Sequence, residues 1–274
     1  MQTSPVPLRS IGRCGVVTSH APSAVSAFLA ATATKVSVYA LLRFYFSVFG
    51  ETAVFQRLPM EELMLVLALA GMFVASTVAI FQDNLKRLFA YSSVAQIGYS
   101  VLGISFDSLT GLTATIVHLV NHALTKGGLF LLLGAVIAGM GGVTLARVQG
   151  IGRVMPLTSL GIVICGLSLI GVPGTAGFVS KWYLILAALE KGQWWLVFLI
   201  VLSSLLAVAY VWRFVEVAYF HAPRADLAGA REAPLALALP AWILVAATLW
   251  FGIDASLTVG SASRAAGQLL GIAP

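Results

Sequence analysis

The chain alternates long apolar runs with short polar breaks, and the runs have the length of membrane-crossing helices. Seven segments can be drawn, at approximately 22–48, 62–82, 88–106, 110–139, 156–188, 194–220 and 235–253. About 20 residues suffice to cross a bilayer core as a helix. A transmembrane barrel would show stretches of roughly 10 residues with alternating polarity, whereas these runs are continuous. The fifth segment would measure about 50 Å as one helix, too long for a straight crossing of a core about 30 Å thick. Gly171, Pro173, Gly174 and Gly177 lie in its middle, and both residue types disfavour helix interiors. The expected fold is therefore all-α and polytopic, with about seven spans, one of them broken at 171–177. The expected organisation is an atypical N-terminal segment at 1–20, one transmembrane domain at 21–256 and a C-terminal tail at 257–274. The 221–234 stretch is the clearly hydrophilic linker.

Against this background the polar positions stand out by spacing. His118, His122 and Lys126 recur every four residues. Steps of four drift only about 40° around a helix, so the three form one stripe, widened by Asn121 and Thr125. Lipid would penalise such a stripe, so it should face the bundle interior. Lys35 falls near the middle of the first segment, Lys86 at the start of the third, and Lys181 just after the break in the fifth. An ammonium at bilayer depth costs roughly 2.5–3.5 kcal/mol on insertion scales, a cost rarely carried without a use for the charge. The second half-helix is expected to present its positive N-terminal end to Lys181. A broken membrane helix with an ionisable group at the break suits an ion pathway. Imidazoles titrate near neutrality and, with buried amines and trapped water, can hand protons along. Lys35, Lys86, His118, His122, Lys126 and Lys181 are thus the candidate proton pathway. Plainer readings exist: Lys86 and Arg87 could snorkel from a helix end, and His118 alone could be a satisfied core histidine.

Composition agrees. The chain is 59% hydrophobic and 9% charged, with mean hydropathy +0.97, against about 25% charged residues in soluble domains. The net charge of +6 would suggest nucleic acid in a soluble protein. Here the basic residues flank apolar spans, so the positive-inside rule accounts for them and no nucleic acid is expected. Nine basic residues lie on one set of loops (Arg9, Arg13, Lys86, Arg87, Arg147, Arg153, Arg213, Arg224, Arg231) and four on the other (Arg43, Arg57, Lys191, Arg264). The richer side, with the N-terminal segment, should be cytoplasmic, and the chain should sit in the inner (plasma) membrane. No cleavable signal peptide is expected, because residues 1–20 lack a continuous apolar core.

Cys14 and Cys165 are too few for an iron–sulfur cluster, and nothing recommends a disulfide between them. Bis-histidine haem needs facing histidines, whereas His118 and His122 share one helix and His20 and His221 lie in loops. No cofactor or metal is expected. Arg213 and Glu216 read as a structural i,i+3 pair, Glu61 and Glu62 as helix-start acids, and the six tryptophans as interfacial anchors.

Four stretches also carry a resemblance. His20-Ala-Pro-Ser-Ala-Val-Ser-Ala, Lys86-Arg-Leu-Phe-Ala-Tyr-Ser-Ser-Val-Ala-Gln-Ile-Gly-Tyr, His118-Leu-Val-Asn-His-Ala-Leu-Thr-Lys-Gly-Gly-Leu-Phe and Gly171-Val-Pro-Gly-Thr-Ala-Gly-Phe-Val-Ser-Lys resemble, in order, the proton-conducting antiporter-like subunits. These are the large membrane subunits of respiratory complex I, of related hydrogenases and of Mrp-type Na⁺/H⁺ antiporters. The likeness runs from about residue 20 to 220, and the stretch from Tyr210 to Phe220 most resembles the Mrp D-type subunit. The resemblance implies a fold of fourteen helices with two inverted repeats and a polar axis, of which this chain is similar to helices eight to fourteen. It implies that Lys35 is the helix-eight lysine, that Lys86, His118 and His122 link toward the second half-channel, and that Lys181 is the terminal lysine on broken helix twelve. Lys126 falls where the family often has a lysine. The glutamate and lysine of the first half-channel have no counterpart here. The likeness stops abruptly before His20, which leads to the expectation of a truncated or frame-shifted product.

The function so implied is a proton-translocating subunit of a multisubunit Na⁺/H⁺ antiporter, not catalytic alone, working with other membrane subunits on protons and Na⁺ within the lipid bilayer. The alternatives are a proton-pumping subunit of complex I or a related hydrogenase, and an inactive truncated scaffold. A free-standing solute transporter would need a pocket at the unwound 171–177 segment.

Overall fold

A computed structural model describes residues 23–49, 58–224 and 232–272. The 1–20 segment with Arg9, Arg13, Cys14 and His20, and also Arg57 and Arg231, lie outside the described residues. Helix α1 is built of four consecutive pieces, Ser23–Phe28, Leu29–Ala33, Thr34–Leu42 and Arg43–Val48, the second and fourth wound with wider π-type turns. Then come α2 (Met60–Ile80), α3 (Leu85–Ser105), α4 (Leu109–Met140), the single turn α5 (Ile151–Val154), and the half-helices α6 (Pro156–Ile170) and α7 (Ala176–Glu190). Helix α8 (Trp194–Val215) is prolonged by a wide turn to Phe220, and α9 (Leu235–Ile253) and α10 (Ser256–Leu269) follow. Among the described residues the one β contact is an isolated bridge between Asn84 and Thr144.

Each of the seven expected segments falls on a helix, and the fifth is divided into α6 and α7. Four helices, Met60–Ile80, Leu109–Met140, Trp194–Phe220 and Leu235–Ile253, are long and apolar enough to cross a membrane, and α6 is apolar but shorter, as suits a half-helix. The chain is a polytopic all-α membrane protein. Most of the 257–274 stretch forms α10, which buries Ala262 and Ala266, one turn apart, against α1 and α4.

Local signals set the helix ends. The Asn84 side chain accepts from the Lys86 and Arg87 amides at 2.9 and 3.3 Å, capping α3. Ser108 caps α4 by accepting from the Gly111 amide at 3.1 Å. Glu61 and Glu62 do open α2, where their charge favours the helix N-terminus.

Helix α4 is the hub. It packs against α1, α3, α6, α7, α9 and α10, so its polar stripe is enclosed. In lipid no hydrophobic force drives helices together, and close approach of small residues serves instead. Thus α2 meets α3 where a Cβ on Gly98 would lie 2.8 Å from the Ala68 carbonyl. One end of the bundle is tied by polar contacts. Arg213 donates to the carbonyls of Ile80 and Gln82, and pairs with Asp83 at 3.0 Å. Its partner is therefore the α2–α3 turn and not Glu216, because at the end of α8 the long side chain reaches across to free carbonyls. The linker's Glu232 accepts from the Leu157 amide at 2.7 Å and the Thr158 hydroxyl at 2.6 Å, clamping the first turn of α6. At the other end Lys191 pairs with Glu61 at 3.5 Å.

Candidate functional site

The break begins where Gly171 takes a left-handed conformation (φ 90°), its amide donating to the Leu167 carbonyl at 2.9 Å. A side chain there would collide with the Lys181 stem, 2.8 Å away. Glycine thus both ends α6 and leaves room for the lysine. Gly174 (φ 84°) turns the unwound backbone, with Pro173 beside it. Gly177 lies already within α7 and serves a different need: any Cβ would overlap the Ser168 carbonyl. The Gly177 amide donates to Ser168 Oγ at 3.1 Å, and that oxygen also bonds Thr125 Oγ1 at 3.0 Å. Asn121 Nδ2 donates to the Ala176 carbonyl at 2.8 Å. Both half-helices are thereby pinned to the polar face of α4.

Lys181 is 4% exposed. Its Nζ donates to the carbonyls of Leu169 (3.0 Å) and Ile170 (2.8 Å) and to Ser204 Oγ (2.9 Å), and lies 4.5 Å from the centre of the Tyr99 ring. The expected relation to the helix dipole is corrected. Helical side chains tilt toward the N-terminus, so from α7 the amine reaches back over the break and caps the C-terminal carbonyls of α6. That is the negative end of a helix dipole, a favourable seat for a cation.

The stripe is buried as its spacing requires. His118, His122 and Lys126 are at most 5% exposed. The two imidazoles stack at 5.7 Å between ring centroids. His118 Nδ1 meets Ser180 Oγ at 2.8 Å, while the Ser180 hydroxyl donates to the Gly177 carbonyl at 3.1 Å. In that arrangement Nδ1 donates to the Ser180 oxygen. Nε2 of both histidines and Oδ1 of Asn121 have no hydrogen-bond partner among the described residues. Lys126 Nζ donates to the Phe89 carbonyl (2.7 Å) and Ser92 Oγ (2.5 Å).

The remaining candidates lie further out. Lys35 is partly exposed and donates to the Ala30 carbonyl of its own helix, across the wide turn of α1; α1 in turn packs against α4. Lys86 is buried in the first turn of α3, whereas Arg87 points outward, so snorkelling describes the second of the pair only. His221 is exposed. No group of three or more potential metal ligands occurs among the described residues.

The sequence reading missed a face of α3. Ser92, Gln96 and Tyr99 lie four and three residues apart, the spacing of one helix face, and are buried. Ser92 serves Lys126. Gln96 Nε2 donates at 3.1 Å to the Leu169 carbonyl that Lys181 also uses. Tyr99 underlies Lys181 and lies near His118.

Together these features define a class: a polytopic helical membrane protein whose interior holds a row of imidazoles and amines ending at a broken helix. Residues 16–207 match the family described as NADH:quinone oxidoreductase/Mrp antiporter, TM, and the chain belongs to that family. It is 42% identical over 233 residues (83% of this chain, 46% of the relative) to NADH-quinone oxidoreductase subunit N of Desulforudis audaxviator. Its fold is similar to a chain of the Mrp complex from Dietzia sp. (TM-score 0.87, 24% identity, covering 96% of this chain and 56% of the other). It is also similar to a chain of the membrane-bound sulfane sulfur reductase, an archaeal respiratory membrane complex (TM-score 0.85, 27% identity, 96% and 53%). The chain thus spans about half the length of these proteins.

Proposed function

We propose that this chain is a proton-translocating membrane component of a multisubunit respiratory complex of the NADH-quinone oxidoreductase type. The observation that carries the reading is the enclosed row Lys126, His122, His118 on α4, whose His118 end bonds Ser180 beside the capped Lys181 at the helix break. A proton arriving along the imidazoles converts the Lys181 amine to an ammonium, which the two α6 carbonyls and Ser204 accept. Its departure restores the amine. Lys35 and Lys86 stand where the row meets α1 and one end of the bundle. No redox chemistry is assigned to the chain itself; other subunits of the assembly supply it.

The relative at 42% identity is named for a quinone oxidoreductase, and that supports the respiratory reading over Na⁺/H⁺ exchange. The family covers Mrp antiporters too, but the Mrp complex chain stands at 24% identity, so the antiporter reading expected first from the Tyr210–Phe220 stretch takes second place. Lys86 and Arg87 at the start of α3, Arg153 on α5 and Arg213 at the end of α8 gather at one end of the bundle, which fits a cytoplasmic assignment for that end.

The test is Lys181→Ala, with Lys181→Met as a second variant of preserved bulk, in the assembled complex reconstituted in vesicles. Proton translocation per electron transferred should fall while all subunits still copurify. Unchanged proton stoichiometry in both variants would overturn the reading and favour an inactive scaffold.

A further inference from the structure

One buried feature is not used by the histidine row. Tyr210, on α8, is fully buried, and its hydroxyl has no hydrogen-bond partner among the described residues. It nevertheless faces Ser92 and Gln96. Ser203, two turns earlier on the same face of α8, is also buried with an unpartnered hydroxyl, directed to Tyr99. Buried hydroxyls without partners are uncommon and mark sites that bind water or act chemically. Tyr210 thus stands beside Ser92, the partner of Lys126, and Ser203 beside Tyr99, which underlies Lys181. On one side Lys126 donates to Ser92. On the other Lys181 donates to Ser204, whose oxygen lies 3.5 Å from the Tyr99 hydroxyl.

We propose that Tyr210 completes a second proton route, made of hydroxyls, that joins Lys126 to Lys181 without passing through the histidines. It runs from Lys126 to Ser92 and Tyr210, then through bridging water to Tyr99, Ser204 and Lys181. In one transfer the Lys126 ammonium gives a proton to Ser92 as Ser92 turns its hydroxyl from the Phe89 carbonyl toward Tyr210. Tyr210, the water, Tyr99 and Ser204 each take one proton and pass one on. The Lys181 amine ends as the ammonium, Lys126 as the neutral amine, and no bond to carbon changes. Hydroxyls and water suit such a relay because each is both donor and acceptor. The route gives Lys126 a task that its place at the end of the stripe does not explain. This inference rests on the proton-translocating reading above.

The experiment is Tyr210→Phe in the assembled complex in vesicles, alone and combined with Lys126→Met or His118→Ala, with Lys181→Ala measured alongside. Tyr210→Phe removes a hydroxyl that faces Ser92 and Gln96 without a well-formed hydrogen bond, so the thermal midpoint should move little while proton flux falls by about half, to what the histidine row carries. The double variant with Lys126→Met should show the flux of Lys126→Met alone, because Tyr210 lies downstream of that lysine. Adding His118→Ala should abolish the flux that remains, because it blocks the parallel route. Wild-type flux in Tyr210→Phe, or multiplied losses with Lys126→Met, would overturn the route. If Lys181→Ala still abolishes flux in that case, only the hydroxyl branch fails. If Lys181→Ala leaves flux intact, the proton-translocating reading itself fails.

Discussion

The amide of Gly177 donates to the side-chain oxygen of Ser168 across the helix break, at 3.1 Å, and the two backbones touch there with no room for a methyl group. The contact brings the start of α7 onto α6, so that four residues later Lys181 can reach the α6 carbonyls. It also seats Ser180 beside His118. The geometry of the charged site therefore depends on a contact between two uncharged residues.

Gly177→Ala should destabilise the protein by about 2–3 kcal/mol, since the added carbon overlaps a backbone carbonyl. Gly174→Ala should cost only about 1 kcal/mol of left-handed strain, because nothing lies within 4 Å of its Cβ position. Thermal denaturation of the two variants in one detergent checks the order. Equal midpoints would mean that the half-helices are not in contact at Ser168.

Glu232→Ala should weaken the first turn of α6 by about 1 kcal/mol, the usual loss on removing an N-terminal cap. Glu232→Gln should fall between, since one oxygen can still accept from the Leu157 amide. Hydrogen exchange of the 157–160 amides measures this. Unchanged protection in the alanine variant would show that the linker does not hold α6.

Asp254 leads into α10, and hydrogen bonds from the Ser256 hydroxyl and amide hold its carboxyl below the usual carboxylate range. A carboxylate with a lowered folded value contributes stability that is complete above its unfolded value, about 3.9, and lost as pH falls through the folded one. Exchange protection at the start of α10, corrected for intrinsic rate, should hold at about pH 5 and drop below about pH 3.5. In Asp254→Asn the drop should be absent. An equal drop in the variant would assign the effect elsewhere.

Much of the site could be read from spacing. The four-residue repeat of His118, His122 and Lys126 requires a single face, and the glycine and proline cluster requires a break in a segment too long to cross once. The α3 face was hidden because Ser92, Gln96 and Tyr99 are each ordinary in a helix, and only their burial against two lysines gives them meaning. The direction of Lys181 follows from the tilt of helical side chains toward the N-terminus, which outweighs the nearness of the start of α7. The pairing of Arg213 with Asp83 joins residues 130 apart, which no local pattern reveals. Helix α10 carries no strong apolar signal, because the residues it buries are alanines.

Helix α6 is gripped at both tips by groups it does not own: the acid of Glu232 from the surface linker at its start, the amine of Lys181 from α7 at its finish. A rod held this way shifts lengthwise only when one grip loosens. Neutralising the amine would leave the carbonyls at the finish of this rod with a weaker partner while the acid at its start still holds, so the two tips answer to different events: one to a proton deep in the bundle, the other to the surface linker.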